Sequence, residues 1–256
     1  MNALQIAATG MLAQQFRTEV VSNNLANMNT TGFQRSKAEF NDLIYTSFQR
    51  PNSVSSKSSG SVPGGINAGL GVKMASIYRV HEQGGLRATG NSLDIAIQGE
   101  GFFQIQLPQG DTAYTRDGTF QLDGTGNLVT HDGFVVNPGI NIPQEAVNVT
   151  INATGEVLVS VQGEEEAANV GVIQLATFAN PSGLVAQGDN LYLASTESGD
   201  AVVTNPGAAG VGSVQQGFVE SSNVNAIEEI STLIKAQRAY DMNAKMITTV
   251  DQMLAS

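Results

Sequence analysis

Both ends of the chain carry apolar or small residues at alternating spacings of three and four, and this pattern restricts what the chain can fold into. The N-terminal seam consists of Met1, Leu4, Ala8, Met11, Gln15, Thr18, Ser22 and Leu25. The C-terminal seam consists of Ile230, Leu233, Gln237, Tyr240, Ala244, Ile247, Asp251 and Leu254. The spacing is that of a coiled coil, so it predicts two long α-helices of roughly 40 Å each.

The predicted helices also have recognisable ends. Residues 27–32 contain Asn, Thr and Gly, which tolerate the left-handed backbone that closes a helix, so the first helix is predicted to end there. Asn225 is the predicted N-cap of the second helix. Glu228 follows three positions later, as in a capping box, and Glu229 adds a second acid to the first turn.

The middle of the chain alternates short apolar runs with Gly, Asn and Asp turns, which predicts antiparallel strands. The strands are predicted between about residues 70 and 220, and examples are Leu93 to Ile97, Phe102 to Leu107, Thr119 to Leu122, Leu128 to Thr130, Phe134 to Val136, Val147 to Ile151, Val157 to Val161 and Val172 to Phe178. A strand-turn-strand unit occurs twice, at 122–128 and at 151–157. Two similar units predict a domain of packed hairpins.

The fold class expected from these patterns is mixed α and β, with terminal helices forming a coiled-coil-like core around a central all-β domain. Four segments follow: a helix and signature at 1–45, an extended Ser/Gly/Pro-rich insertion at 46–72, a β-domain at 73–220 and a helix at 221–256. Within the insertion, 53–65 is linker-like or disordered in composition. An irregular connection of this length marks a functional loop or a disordered segment.

The charge is concentrated in the middle of the chain. The formal net charge is −11, and residues 91–220 hold 15 acids against the single base Arg116. Such a surface repels nucleic acid and anionic lipid. Two interpretations stay open: the acidic middle faces solvent while the nearly neutral ends pack against other copies, or the acids only aid solubility.

Catalytic patterns are weak throughout. The chain has no Cys, which excludes disulfides and thiolate sites, and its only histidines are His81 and His131. The Gly-x-Gly fragments lack the dinucleotide fingerprint, and 123–127 is an ordinary turn rather than a calcium loop. Asp94 with Glu100, or Asp111 with Asp117, could form a carboxylate pair only if the fold joined them. We expect no enzyme, cofactor, metal or small-molecule substrate, and the 164–166 glutamates read as a solvated loop.

No stretch approaches the ~20 apolar residues of a membrane span, and the N-terminus does not read as a secretory signal. We therefore expect a protein that is either cytoplasmic or exported by a route that cleaves nothing.

Two motifs at the inner ends of the helices resemble a known family. Asn-Asn-Leu-Ala-Asn at 23–27, followed by Thr-Thr-Gly-Phe at 30–33, resembles the signature that closes the N-terminal helix in the flagellar rod, hook and hook-associated protein family. Residues 216–225 resemble its C-terminal counterpart. The signature residues are Asn23, Asn24, Leu25, Ala26, Asn27, Gly32, Phe33, Ser222, Asn223, Val224 and Asn225. Residues 7–15, 94–103 and 113–118, and the position of the insertion, resemble the distal-rod branch of that family.

The resemblance implies a helical homopolymer with the terminal helices inside and the β-domain outside, acting as a stiff shaft that carries torque from motor to hook. It further implies proximal-rod, hook and surrounding ring (bushing) proteins as partners, uncleaved export through the flagellar type III apparatus, and a place in the basal body from periplasm to outer membrane. It implies no nucleic acid partner.

We predict that the seams are buried between subunits and that the helices fold fully only on assembly. The predicted interface residues are Leu4, Ala8, Met11, Leu25, Ile230, Leu233, Tyr240, Ala244 and Ile247. Alternatives remain open: the helices could pair within one chain, the chain could be a hook or proximal-rod subunit, or it could be a secreted β-rich binding module or wall hydrolase.

Overall fold

A computed structural model describes residues 2–49, 66–161 and 167–255. The fold is mixed α and β, with a helix at each end of the chain and a β-rich region between them. The chain divides into two compact units. Unit 1 comprises Met1–Ala26, Ser36–Tyr78 and Asn225–Ser256, and unit 2 comprises Asn27–Arg35 and Arg79–Val224. Within the described ranges, neither helix combines the length and apolar character needed to cross a bilayer.

Unit 1 combines the two helices with two strand pairs. Its elements are α1 Asn2–Ala26, β1 Ser36–Asp42, β2 Tyr45–Gln49, β3 Ile66–Gly69, β4 Val72–Arg79 and α2 Ala226–Ala255. Strand β1 pairs with β4, and β2 pairs antiparallel with β3. Both predicted helices are confirmed, although Met1 lies outside the described residues. The two ends of the predicted insertion form the β2–β3 pair, while the stretch predicted to be linker-like, 53–65, lies outside the described residues.

The helix ends follow the predicted chemistry. Beyond α1, the Thr30 amide donates to the Asn27 carbonyl at 3.1 Å, and Gly32 has a φ of +67° that favours glycine. At the start of α2, the Asn225 Oδ1 accepts from the Ile227 amide at 3.1 Å and from the Glu228 amide at 3.5 Å. Asn225 is therefore the N-cap, as its position predicts.

Unit 2 is built from short antiparallel strands. They are β5 Leu86–Ala88, β6 Ile95–Gln98, β7 Phe102–Gln106, β8 Thr112–Thr115, β9 Gln121–Leu122, β10 Leu128–Val129, β11 Val135–Val136, β12 Ala146–Ile151, β13 Glu156–Val161, β14 Ala168–Val172, β15 Leu175–Thr177, β16 Val185–Gly188, β17 Leu191–Leu193, β18 Val202–Thr204, β19 Ser213–Gln216 and β20 Phe218–Glu220. The largest sheet runs β16-β17-β8-β7-β11-β10-β9, with β15 pairing β7 and β18 pairing β15. A second sheet is β12-β13-β14, and β19 pairs β6 while β20 pairs β5.

The two predicted strand-turn-strand units are confirmed, and their turns form the same hydrogen bonds. In the first hairpin Leu122 pairs with Leu128, and in the second Ile151 pairs with Val157. In the first turn the Gly126 amide donates to the Asp123 carbonyl at 3.1 Å, and in the second the Gly155 amide donates to the Asn152 carbonyl at 2.9 Å. Each of these glycines also accepts from an isoleucine amide further along the chain, at 2.7 and 2.8 Å. The same spacing between Asp or Asn and Gly in both segments therefore gives turns with the same hydrogen-bond pattern.

Alternating residues of these strands form one main core in unit 2. Its fully buried members include Ile95, Ile97, Phe103, Ile105, Phe120, Leu128, Val136, Ile140, Val157, Val159, Ile173 and Leu175. The rings of Phe103 and Phe120 meet edge to face with centroids 5.1 Å apart. A smaller cluster is centred on the fully buried Tyr192.

Two strand predictions need correction. The run Val172 to Phe178 is not one strand but the end of β14 and the whole of β15. Between them the buried Ile173 donates its amide to the Gly155 carbonyl at 2.8 Å, which interrupts the ladder. The segments of β8 and β16 to β20 were not among the runs named from the sequence, because strands of three or four residues are too short to show a period of two.

We predict that Gly118→Ala destabilises unit 2 severely. A Cβ at the buried Gly118 would overlap the carbonyl oxygen of Ile95, whose amide already donates to Gly118 at 3.0 Å. The backbone cannot move away cheaply, so the expected loss is several kcal/mol and the melting temperature falls by about 10 °C. Gly124→Ala is the matched control, since its Cβ meets nothing within 4 Å. Equal melting curves for the two variants would contradict the packing described.

Candidate assembly interface

The two helices of unit 1 contact each other and run antiparallel. The Asn24 Nδ2 donates to the Glu229 Oε1 at 3.3 Å near one end of the pair. Fourteen residues before Asn24, Gly10 faces Asn243, and a Cβ there would lie 2.7 Å from the Asn243 amide nitrogen. Between these points Ala236 is fully buried. The face of α2 that contacts α1 therefore follows residues 229, 236 and 243, at a spacing of seven.

The predicted C-terminal seam lies beside this contact face and not in it. Ile230 and Tyr240 remain 45% and 43% exposed, and Leu233, Ala244 and Ile247 are half-buried. On α1 the seam residues Leu4, Ala8, Met11 and Leu25 are also half-buried. The helices thus pair within one chain, as one alternative expected, but through small residues that leave much of both seams accessible. Burial of the seams between subunits stays a prediction.

The two seams meet along one side of the helix pair. Gln15 and Thr18 of the N-terminal seam and Gln237 and Tyr240 of the C-terminal seam line the same open groove of about 310 Å³. We call it the seam groove; Glu19 and Asp241 complete its lining, and its accessible surface is mainly apolar. Residues that the sequence pattern assigned to two separate stripes therefore form one surface.

Further apolar residues of the helices are exposed away from the groove. On α1 they are Leu12 and Phe16, one turn apart, and on α2 they are Met242, Met246 and Met253. Met242 is 63% exposed. An isolated soluble protein rarely leaves contiguous apolar stripes of this kind uncovered, and they mark surfaces where other proteins bind.

Asn24, a signature residue, fastens three elements of unit 1 together. Its Nδ2 donates to the Ser36 carbonyl and its Oδ1 accepts from the Ser36 amide, both at 2.8 Å. With the bond to Glu229, the side chain connects α1, the start of β1 and α2 while it is 1% exposed. The role of this amide is therefore to position the three elements.

Asn223 has the corresponding role in unit 2. Its Oδ1 accepts from the Arg35 amide at 2.7 Å, and its Nδ2 donates to the carbonyls of Val80 and Glu82 at 2.8 and 2.9 Å. In the same region, Gly32 donates its amide to the Glu220 carbonyl at 2.8 Å. Parts of the two sequence signatures, almost 200 residues apart, thus pack together in unit 2, where the Asn223 backbone amide also donates to the Phe33 carbonyl at 3.4 Å.

A buried ion pair lies beside this junction. The Arg116 Nη1 contacts the Glu220 Oε2 at 3.1 Å, and their side chains are 5% and 1% exposed. The other Glu220 oxygen accepts from the Gly84 amide at 3.0 Å, and the Arg116 guanidinium lies 5.3 Å from the Phe102 ring centroid. The sequence pattern did not predict this ion pair, although Arg116 is conspicuous as the one base among residues 91–220.

The carboxylates considered as candidate reactive groups form hydrogen bonds with residues close to them in the sequence. The Asp123 carboxylate accepts from the Thr125 hydroxyl and from the amides of Asn127 and Thr125, all at 2.8 Å, which makes this segment a self-capped turn and lowers the pKa of Asp123. Asp94 accepts from the Asn91 side chain, and burial raises the pKa of Asp117. Among the described residues, no group of three or more His, Asp or Glu side chains could hold a metal ion. The 164–166 glutamates lie outside the described residues.

His81 lies half-buried between aromatic rings and positive charges. Its ring meets Phe102 and Tyr192 edge to face at centroid distances of 5.7 and 5.9 Å. Burial, followed by the nearby charges of Arg116 and Arg79, lowers the pKa of His81 to about 4. This histidine is therefore neutral at physiological pH and serves as a packing residue.

Three family models match successive parts of the chain. A model for flagella basal body rod proteins matches residues 4–34, one for the flagellar hook protein FlgE/F/G D1 domain matches 96–159, and one for the C-terminal part of flagellar basal body rod FlgEFG proteins matches 215–256. The matched segments include both signatures and the first half of the β-rich region.

Full-length relatives agree with these models. Flagellar basal-body rod protein FlgG from Caulobacter vibrioides is 52% identical over 254 residues, which cover 99% of this chain and 97% of the relative. The proteins of the same description from Agrobacterium fabrum and Bacillus subtilis are 47% and 39% identical, each over 99% of this chain and 97% of their own length.

An antiparallel pair of terminal helices with uncovered apolar sides, together with a β-rich unit, defines a structural protein built for assembly. The chain belongs to the flagellar basal-body rod protein family. The prediction of a structural subunit of the flagellar rod is thereby confirmed, and the family is a structural one.

We predict that Asn24→Asp loosens unit 1. The change removes the donors to Ser36 and Glu229 and places a second carboxylate within about 3.3 Å of the Glu229 oxygen. Lost buried hydrogen bonds and like-charge repulsion should cost roughly 3 kcal/mol at neutral pH. Thermal unfolding followed by helix circular dichroism should shift down by about 5 to 10 °C. Asn41→Asp, on the exposed side of β1, should leave the curve unchanged; a similar shift in both variants would show that Asn24 has no special role.

We also predict a pH dependence that comes from His81. Because its folded pKa of about 4 is below the ordinary 6.5, the unfolded chain binds more protons between these values. The contribution to stability is complete above pH 6.5 and falls by roughly 3 kcal/mol as pH drops to 4. Urea unfolding at several pH values should show this slope in the wild type, and it should be missing in His81→Phe.

The comparison between wild type and variant cancels Asp117, whose raised pKa acts in the opposite direction in both proteins. His131→Gln, at the exposed second histidine, should retain the wild-type slope. A slope that survives in His81→Phe would show that another group is responsible.

Proposed function

We propose that the chain polymerises through its terminal helices into the tubular distal rod, a stiff shaft that carries torque from the motor to the hook. The observation that carries this proposal is the surface of unit 1. Its helices leave the seam groove and the stripes of Leu12, Phe16 and Met242 open to solvent. Neighbouring copies in a helical array would cover both.

The energy available from such contacts is large when it is repeated. Burying one large apolar side chain is worth about 1.5–3 kcal/mol, and each subunit offers several on each helix. The groove and the stripes are different surfaces, so a contact between them is heterologous. Heterologous contacts that do not close into a ring continue as open helical arrays. This matches a rod better than a closed dimer.

A shaft also requires subunits that resist deformation. Asn24 in unit 1 and Asn223 in unit 2 each fix segments far apart in the chain through three hydrogen bonds. The Arg116–Glu220 pair, nearly inaccessible to water, adds a further fixed contact. Buried amide groups whose hydrogen bonds are satisfied, as at Asn24 and Asn223, make a local structure rigid. We propose that the 46–72 insertion adds to this stiffness, as the family resemblance implies.

The acidic part of unit 2 suits an outer surface. Residues 91–220 carry a net charge of −14, and most of their described carboxylates are exposed. We propose that this surface faces the surrounding ring proteins and lowers friction during rotation, because like charges keep surfaces apart. The further partners would be the proximal rod, the hook and the type III export apparatus, with the subunit exported uncleaved and located from periplasm to outer membrane.

We predict that Leu233→Asp and Tyr240→Asp each abolish polymerisation and swimming while unit 2 stays folded. A carboxylate on the seam would have to be desolvated when a neighbouring copy covers it, which is costly. Cells that lack the native gene and express each variant would be scored by soft-agar motility and by the presence of the chain in isolated basal bodies.

Val147→Asp is the matched control, since it places the same charge on an exposed valine of β12 in unit 2. It should swim normally. Normal swimming of both seam variants would refute assembly through the seams.

A further inference from the structure

The methionines of the chain are concentrated in the last part of α2. The chain has seven methionines, and three of them, Met242, Met246 and Met253, lie on this helix. Steps of four and seven residues turn an α-helix by close to whole turns, so the three side chains lie on one side of α2. We call this surface, formed by residues 242, 246 and 253, the methionine stripe.

The methionine stripe is more accessible to solvent than the other described methionines. Its three members are 63%, 57% and 72% exposed, whereas Met28 and Met74 are 40% and 38% exposed. Met11 on α1 is half-buried. A small molecule that reacts with the thioether group therefore reaches the methionine stripe more readily than it reaches the other methionines.

Oxidation is the characteristic reaction of an exposed thioether, and hydrogen peroxide is a suitable oxidant. The sulfur lone pair attacks one oxygen of the peroxide, so that an S–O bond forms while the O–O bond breaks. The transferred hydroxyl gives its proton to the departing hydroxide, which leaves as water. The sulfur is thereby oxidised and the peroxide is reduced. The product, methionine sulfoxide, is a polar side chain that methionine sulfoxide reductases convert back to methionine.

We propose that the methionine stripe is an oxidation site for peroxides, and that its oxidation prevents a free subunit from joining the rod. The second part rests on the proposed function, in which neighbouring copies cover this side of α2. Methionine suits such a contact because its side chain is flexible and apolar. Its sulfoxide is polar, and covering a polar group without a hydrogen-bond partner is unfavourable. A subunit that neighbouring copies already cover is protected from the same reaction.

Peptide mapping of the purified chain tests the site itself. The full-length chain would be treated with dilute hydrogen peroxide, quenched at several times and digested, and oxygen addition at each methionine would be measured by mass spectrometry. Met242 and Met246 should be oxidised severalfold faster than the half-buried Met11. The same treatment in urea should make the rates similar, because unfolding exposes every side chain. Equal rates for these methionines in the folded chain would overturn the proposal.

A comparison of two chains in cells tests the effect on assembly. Met242→Leu combined with Met246→Leu removes both sulfurs and retains apolar side chains of similar size. Cells that lack the native gene and express either chain would receive sublethal hydrogen peroxide while new flagella form. The amount of chain in isolated basal bodies would be compared with an untreated culture of the same strain. It should fall severalfold for the wild type and much less for the double variant, and an equal fall in both would show that the stripe is not responsible.

A polar replacement tests the same effect without an oxidant. Met242→Gln combined with Met246→Gln places polar amides where the sulfoxides would lie, and it should lower the amount of chain in basal bodies severalfold. Leu122→Gln is the matched control, since it makes a similar change at a 40% exposed residue of unit 2, and it should be incorporated like the wild type. Normal incorporation of the double glutamine variant would contradict the proposal. If that variant melts at a lower temperature than the wild type, the peroxide comparison decides the effect on assembly.

The outcomes separate this inference from the proposed function. Basal bodies that incorporate the double glutamine variant normally would overturn the effect of oxidation and leave rod assembly intact. A wild-type chain that is missing from untreated basal bodies would overturn rod assembly and the effect of oxidation together. The oxidation rates of the purified chain decide the site in either case, because they do not depend on assembly.

Discussion

A pair of helices can cover only one side of each member, and this geometric limit governs what unit 1 can do. The shared side includes the small residues Gly10 of α1 and Ala236 of α2, which permit close approach, and it also contains the Asn24–Glu229 hydrogen bond. Bulky residues such as Leu12, Tyr240 and Met242 are left at the surface. The isolated chain therefore has an apolar surface on these helices, and a surface of this kind marks a site where other proteins bind.

Unit 2 is self-sufficient in comparison. Its core is closed by strands that pair antiparallel, and its buried charges, Arg116 and Glu220, neutralise each other while an amide satisfies the remaining carboxylate oxygen. Removal of one partner from such a pair leaves an uncompensated charge in an apolar environment, which costs several kcal/mol. The acids that dominate this part of the sequence can then stay at the surface, where they are hydrated.

The family signatures have a physical reason in this structure that is not chemical reactivity. Asn24 and Asn223 use both ends of their amide groups to bridge backbone segments that are distant in the sequence. A carboxylate or an alkyl group of similar size could not donate and accept at once. The motif resemblance pointed to these positions, but their function as bridges depends on Ser36, Arg35 and Val80, which no pattern in the sequence associates with them.

Local chemistry alone determined the two helices, the Asn225 cap, the repeated turns at 123–127 and 152–156 and the family, because each of these depends on residues within a few positions of one another. The sequence did not predict which face of each helix makes the contact. The seams mix small and polar residues, so a neighbouring face can be buried about as favourably as the seam itself. The tertiary structure moved the contact to residues 229, 236 and 243 and brought the two seams together as one groove. It also joined Arg116 to Glu220 across 104 positions and paired strands such as β8 with β17. Contacts of this range are decided by which surfaces the whole chain can bury at once, and that quantity is not encoded in any short segment.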